Sequence, residues 1–170
     1  GGNGAIGYQL NPGLINSGTG VFANLLANNY IITAIDANNC TATTSVGLTQ
    51  PVQMFVQLIS QQNPNCFGEQ TGSIQFLGNG GTAPLSYNLQ PTNLSNNTGL
   101  FTNLSAGVYS LTLVDGNQCQ LTYPVVNLSQ PNLLQLSLVQ KQDSACFGQS
   151  SGSIQVAVNG GSNGFLYSWS

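Results

Sequence analysis

Cysteine is the residue type with the clearest potential chemistry in this chain. The four cysteines are separated by 26, 53 and 27 residues, and the chain contains no histidine. Single cysteines so far apart do not make the ligand clusters that bind zinc. No metal site and no cofactor site are therefore predicted, and the chemistry left to these thiols is disulfide formation in an oxidising compartment.

The ionisable residues are too few to build an active site. The 170 residues include one Lys or Arg, four Asp or Glu and no His, so that only 3% are charged. A nucleophile with its base cannot be assembled from this set, so the chain is expected not to be an enzyme. Asp36 and Asp115 lie in Asn-rich turns whose oxygens could attract calcium. One carboxylate per turn is too few, however, and argues for a purely structural role.

The low charge also limits the possible partners. Lys141 is the only basic residue, whereas binding to nucleic acid requires many Lys and Arg side chains that displace counterions from phosphates. No apolar run approaches the roughly 20 residues that cross a bilayer. Neither nucleic-acid binding nor membrane insertion is expected.

An internal repeat organises the chain. The segment that begins at Gly1 matches the segment that begins at Gly80, at an offset of 79 residues. One extra residue enters near Pro124, and beyond it the offset is 80, so that CFGEQTGSIQ from Cys66 matches CFGQSSGSIQ from Cys146. Two equivalent Gln-Pro pairs, Gln50-Pro51 and Gln130-Pro131, mark the boundaries between repeats, because Pro lacks the N–H that strand pairing needs. The chain is therefore predicted to contain the C-terminal part of one repeat (1–51), a complete repeat (52–131) and the N-terminal part of the next (132–170).

Alternation of apolar and polar residues predicts strands throughout. In the complete repeat they are expected at about 52–58, 73–76, 85–89, 98–104, 108–114 and 119–128, separated by turns rich in Gly, Asn and Asp. Tyr109, Leu111 and Leu113 share one face of their strand, which is expected to point into the core. Pro124 suggests an edge strand. The predicted fold class is all-β, with tandem immunoglobulin-like β-sandwich repeats of about 80 residues.

The strand pattern suggests how the cysteines pair. If the five strands after Cys66 form a simple meander, Cys66 and Cys119 lie at the same end of the sandwich. This predicts a Cys66–Cys119 disulfide, with Cys40 and Cys146 pairing with partners outside the fragment. The alternative is that Cys40 pairs with Cys66 and Cys119 with Cys146, which would bridge neighbouring repeats.

Tyr30 and Tyr109 occupy equivalent positions just before the strongest strand of each copy. They are expected to be core aromatics, or to bond the backbone through their hydroxyls as in a tyrosine corner. The alternative is a surface aromatic that stacks on sugar.

The order of the motifs resembles a known family. Cys-Phe-Gly before Gly-Ser-Ile, then Gly-Gly, then Tyr, then Leu-Ser-Ala-Gly-Val-Tyr-Ser-Leu-Thr-Leu-Val-Asp, and finally Asn and Cys119, resembles the SprB-type repeat. Such repeats recur in very large surface adhesins of gliding Bacteroidetes. The resemblance implies an extracellular, cell-surface location, export by a type IX system and a role in adhesion or gliding. The first copy departs from the pattern with Leu-Leu-Ala-Asn-Asn-Tyr.

The favoured function is a structural and adhesive tandem-repeat segment of a large secreted cell-surface adhesin or filament, linked to gliding motility. The alternatives are a carbohydrate-binding module and a self-assembling extracellular filament subunit whose edge strands pair between chains. The expected partners are neighbouring repeats of the same chain, and either surface glycans or other copies of the filament. Asp143-Ser144-Ala145 resembles the short O-glycosylation signal of Bacteroidetes, which makes Ser144 a candidate glycosylation site.

Overall fold

The computed structural model describes residues 6–162 and 164–169, and these residues form antiparallel strands joined by turns and loops. No helix occurs among them, and thus none that could cross a membrane. The all-β prediction is confirmed. The described strands are β1 (Gly7–Asn11), β2 (Ile15–Ser17), β3 (Asn28–Ile35), β4 (Thr41–Leu48), β5 (Phe55–Gln62), β6 (Gly72–Asn79), β7 (Ser86–Gln90), β8 (Leu94–Asn96), β9 (Leu100–Leu104), β10 (Gly107–Val114), β11 (Gln120–Leu128), β12 (Gln135–Gln142) and β13 (Ser153–Asn159).

The strands group into two compact units, Gly1–Pro51 and Val52–Ser170. Within the second unit, two sheets pack face to face: β5-β6-β9 on one side and β11-β10-β7-β8 on the other. Three strands against four is the layering of an immunoglobulin-like sandwich. Both sheets contribute to one core, which consists of Val56, Ile74, Phe76, Tyr87, Leu89, Phe101, Leu104, Tyr109, Leu111, Leu113, Val126 and Leu128.

The inward face of β10 is the predicted one. Tyr109, Leu111 and Leu113 are buried, while Thr112 between them is only half-buried. β11 lies at the edge of its sheet, as Pro124 predicts. Between Tyr109 and Leu111 the pairing with β11 shifts register, so the extra residue near Pro124 is accommodated as a β-bulge.

The two ends of the chain contain different parts of the same sandwich. Strands β1–β4 form one sheet in the order β2-β1-β3-β4, which matches β8-β7-β10-β11 of the complete repeat. Strands β12 and β13 form a hairpin that repeats the register of β5 and β6, including the same shift near its middle. The similarity of sequence between copies is therefore reproduced strand by strand.

Candidate functional site

The most organised polar group of the complete repeat is the carboxylate of Asp115, in the turn between β10 and β11. Its side chain is buried, with only 3% of the residue exposed. One oxygen accepts a hydrogen bond from the Thr82 amide at 2.9 Å, and the other accepts bonds from the Asn117 and Cys119 amides at 2.9 and 2.8 Å. A Cβ at Gly81 would lie 2.9 Å from the first oxygen. The carboxylate thus fastens two turns together.

The same device occurs in the first copy. One oxygen of Asp36 accepts hydrogen bonds from the amides of Asn38 and Cys40, both at 2.9 Å. Backbone N–H groups donate to these carboxylate oxygens, so each Asp side chain serves to fix the conformation of its own turn. In residues 6–162 and 164–169, no group of three or more His, Cys, Asp or Glu side chains could hold a metal ion.

Hydrogen bonding lowers the pKa of Asp115 below its usual value. The largest cause is the bond from the Thr82 amide, and burial opposes it by disfavouring the charged form, while the amides of Cys119 and Asn117 lower the pKa further. A depressed pKa in the folded state means that the ionised carboxylate contributes stability above its unfolded pKa, near 3.9.

We therefore expect the complete repeat to lose stability in acid. The urea midpoint of unfolding should fall as the pH decreases from about 5 through the unfolded pKa of Asp115 and towards its lower folded pKa. Asp115→Asn should lower the midpoint at pH 7 and flatten this pH dependence. Asp143→Asn is the control, because that side chain is 82% exposed. An unchanged pH profile in Asp115→Asn would contradict the assignment.

The candidate disulfide does not fit the fold. The loop that carries Cys66 is bonded to the end of β11, through Gly68 N to Gln130 Oε1 at 2.9 Å and Asn63 Nδ2 to Ser129 Oγ at 3.0 Å. Cys119 lies at the other end of the sandwich, beside Asp115. At ~3.3 Å per residue, the eight residues of β10 separate these ends by about 25 Å, whereas bonded cysteines need Cα atoms within about 7 Å.

The premise that Cys66 and Cys119 lie at the same end is therefore wrong, and this arrangement does not allow their bond. The reason is strand β8, which the sequence pattern did not reveal. It pairs with β7 and adds one more reversal of the chain before β10. With this extra reversal, the turn that precedes Cys119 moves to the opposite end.

The remaining cysteines do not restore a pairing within residues 52–169. Cys146 begins the same turn in the third copy that Cys66 begins in the second, with matching bonds from Gln149 N and Glu69 N. It therefore lies at the far end of the β12–β13 hairpin and farther still from Cys119, which argues against the alternative Cys119–Cys146 bond. All four cysteines are exposed, and none is bonded to another within the chain. Pairing of Cys40 and Cys146 with partners outside this chain stays a prediction.

The two tyrosines are structural. The Tyr109 hydroxyl donates to the Ser105 carbonyl at 2.9 Å, and the Tyr30 hydroxyl donates to the Leu26 carbonyl at 2.9 Å. Both rings are buried. Each bond spans four residues at the entry to the equivalent strand, which is the geometry of a tyrosine corner. Their burial leaves no face for stacking on sugar.

The candidate glycosylation residue is accessible. Ser144 is exposed in the loop between β12 and β13, next to Asp143, whose carboxylate pairs with Lys141 at 3.1 Å. An exposed hydroxyl in a loop is what a glycosyltransferase requires. Modification of Ser144 remains a prediction.

Comparison with known families identifies the repeat. The family model named SprB repeat matches residues 58–93 and 138–170. The two matches begin at Leu58 and Leu138, which are equivalent positions of β5 and β12. Neither the curated proteins nor the solved structures include a match to the chain. The resemblance seen in the sequence is thus confirmed by the match of the SprB-repeat model to these two stretches.

Proposed function

We propose that this chain is a structural and adhesive segment of a tandem-repeat protein on the outside of a bacterial cell, and that it has no catalytic activity. SprB repeats occur in cell-surface proteins, which supports an extracellular location. Secretion, adhesion and a link to gliding motility are the finer parts of the proposal.

The observation that carries the proposal is the path of the chain through the complete repeat. Val52 enters beside Gly81, whose amide donates to the Val52 carbonyl at 2.7 Å. The chain leaves at the opposite end, where the Ser129 amide donates to Asn63 Oδ1 at 3.1 Å. Entry and exit at opposite ends allow each repeat to extend the molecule by about 30 Å, the length of a nine-residue strand.

The next repeat begins where the complete one ends. Ser162 Oγ lies 3.5 Å from the Asn65 carbonyl, so the 160–162 turn of the third copy contacts the Cys66 loop of the second. Repeats that contact only their neighbours form quasi-one-dimensional arrays. A stalk that presents uncharged Asn, Gln, Ser and Thr along its length is the architecture we propose.

The carbohydrate-binding alternative lacks an aromatic platform in the complete repeat. Tyr87 and Tyr109 are buried in the core, and Phe76 meets Tyr123 edge-on, with ring centroids 5.3 Å apart. A module that stacks sugars needs such rings at the surface. The exposed aromatics of the complete repeat are Phe55 and Phe67; Phe55 begins β5 and Phe67 lies in the loop that follows its other end, so the two rings do not form one stacking surface.

The proposal is tested by experiments on intact cells and by a glycan array. An antibody against residues 52–131 should label intact cells that produce the protein, and deletion of the repeats should reduce attachment to surfaces. On a glycan array, the chain should show no saturable binding. Saturable binding to one glycan class would favour the carbohydrate-binding alternative, and label confined to permeabilised cells would overturn the surface assignment.

A further inference from the structure

Each repeat has two cysteine positions, and both recur from copy to copy. Cys40 and Cys119 close the Asp turns of the first and second copies, where the Asp amide donates to the cysteine carbonyl at 3.1 and 3.0 Å. Cys66 and Cys146 begin matching turns after β5 and β12. We call the first pair the entry cysteines and the second pair the exit cysteines, after the end of the sandwich at which each position lies.

The entry and exit cysteines of one repeat do not reach each other. Cys66 and Cys119 lie at opposite ends of the eight-residue strand β10, about 25 Å apart. All four cysteines are exposed, and recurrent exposed cysteines of extracellular proteins commonly form disulfides. This step rests on the extracellular location proposed above. The partner of each thiol is therefore to be sought on a neighbouring repeat.

The exit cysteine lies beside the point at which the next repeat begins. The loop that carries Cys66 is held to the end of the complete repeat by the bond from Gly68 N to Gln130 Oε1 at 2.9 Å. Gln130 is the penultimate residue of this repeat, so the third copy starts next to the loop. The residue before the exit cysteine, Asn65, contacts the third copy directly, since Ser162 Oγ lies 3.5 Å from its carbonyl oxygen.

Ser162 belongs to the turn at which the chain enters the third copy. The Gly161 amide of this turn donates to the Asn132 carbonyl at 2.8 Å, and the corresponding bond of the complete repeat, from Gly81, is 2.7 Å long. Ser162 is therefore the counterpart of Thr82. The entry turn of the third copy thus lies against the loop that carries the exit cysteine of the second.

In the complete repeat, the entry turn is bonded to the turn that carries the entry cysteine. The Thr82 amide donates to one oxygen of Asp115 at 2.9 Å, and the Cys119 amide donates to the other at 2.8 Å. A single carboxylate therefore separates Thr82 from the entry cysteine. By the equivalence of the repeats, the entry cysteine that accompanies Ser162 lies equally close to the joint with the second copy.

We propose that the exit cysteine of each repeat forms a disulfide with the entry cysteine of the following repeat. Cys66 then bonds to the cysteine that occupies the position of Cys119 in the third repeat. The two sulfurs join, and their two protons and two electrons pass to a disulfide oxidant, whose own S–S bond breaks to give two thiols. The bond connects neighbouring repeats a second time, in addition to the peptide backbone at the joint.

The noncovalent contacts at the joint leave its orientation to such a bond. The contact between Ser162 and Asn65 is long and exposed, so it contributes little free energy. The other residues that line the cleft between the two copies are uncharged and offer no strong attraction: Asn63, Pro64, Ser129, Gln130 and Pro131. A covalent bond would hold the joint closed where these side chains do not.

The bond is tested in a chain that contains both thiols of one joint. The full chain is extended after residue 170 by a second copy of residues 91–131, which completes the third repeat and supplies a second entry cysteine. Cys40→Ser and Cys119→Ser remove the original entry cysteines. The appended cysteine can then bond either to Cys66 of the preceding repeat or to Cys146 of its own repeat. The dilute chain is equilibrated with reduced and oxidised glutathione, alkylated and digested without reduction.

Mass spectrometry of the linked peptides should show the appended cysteine bonded to Cys66. A bond to Cys146 would join the two thiols of one repeat and would overturn the proposal, as would a bond between separate chains. An appended cysteine that stays reduced would overturn it as well, once protection of the β13 amides from hydrogen exchange shows that the third repeat has folded.

A second measurement tests the joint without the appended segment. In the full chain with every cysteine except Cys66 replaced by Ser, Ser162→Cys should form a bond to Cys66 within one molecule, with loss of both free thiols. Ser153→Cys is the matched control, because it lies at the other end of the seven-residue strand β13, about 20 Å away, and should stay reduced. If Ser162→Cys also stays reduced, the proposal is wrong whatever the extended chain does. Both measurements use purified protein and added oxidant, so their failure is distinct from failure of the surface location, which antibody labelling tests.

Discussion

Replacement of Leu111 by Ala should lower the free energy of unfolding of the complete repeat by about 2–5 kcal/mol, the range found for buried Leu-to-Ala cavities. Leu111 is 0% exposed and lies at the centre of β10, paired across the sheet with Leu89 and Tyr123. Neighbours fixed on both sides cannot close the cavity that the substitution would leave.

Thr112→Ala is the matched control, since Thr112 is adjacent in sequence but points to the other face and is half-buried. Its effect should be well under half that of Leu111→Ala. Hydrogen exchange of the β6 and β10 amides at moderate urea measures both effects in the full chain and reports on this repeat alone. A larger loss for Thr112→Ala would mean that β10 is misplaced by one residue, which exchanges its two faces.

The same substitution in two copies should give very different results. Ile74→Ala should destabilise the complete repeat by about 2–5 kcal/mol, whereas Ile154→Ala should change stability by no more than about 0.5 kcal/mol at low micromolar concentration. Residue type, strand position and register are the same, and only burial differs, at 0% against 61%.

Urea unfolding followed by hydrogen exchange of β6 and β13 separates the two effects, because each peptide reports on its own copy. Equal losses would show that the β12–β13 hairpin is covered even in the isolated chain.

Periodicity predicted the fold well where one side of a strand is buried. Leu111 and Leu113 alternate with half-buried neighbours, and this alternation gave both the strand and its inward face. Pro124 predicted that β11 is an edge strand, because a residue without a backbone N–H cannot complete the hydrogen bonds of a central strand. The internal repeat extended each of these inferences from one copy to the next.

Strand β8 could not be found in this way, and its absence from the prediction misplaced the cysteines. Its three residues, Leu94–Asn96, are mostly exposed, so burial imposes no alternation on them. The strand is instead closed by local bonds, in which Asn96 Oδ1 accepts from the amides of Thr98 and Gly99 at 3.0 and 2.7 Å. The Asn-x-Thr-Gly spacing at 96–99 is the signal that could have indicated it.

The path of the chain through the sandwich determines how a repeat would respond to mechanical load. A pull on the two ends of the repeat reaches β5 through Val52 and β11 through Pro131, and it acts on the two strands in opposite directions along their lengths. Each strand is held to its neighbour by hydrogen bonds perpendicular to its length, β5 to β6 and β11 to β10. The load would shear these bonds together instead of opening them one at a time, so a string of such repeats would transmit force while remaining folded.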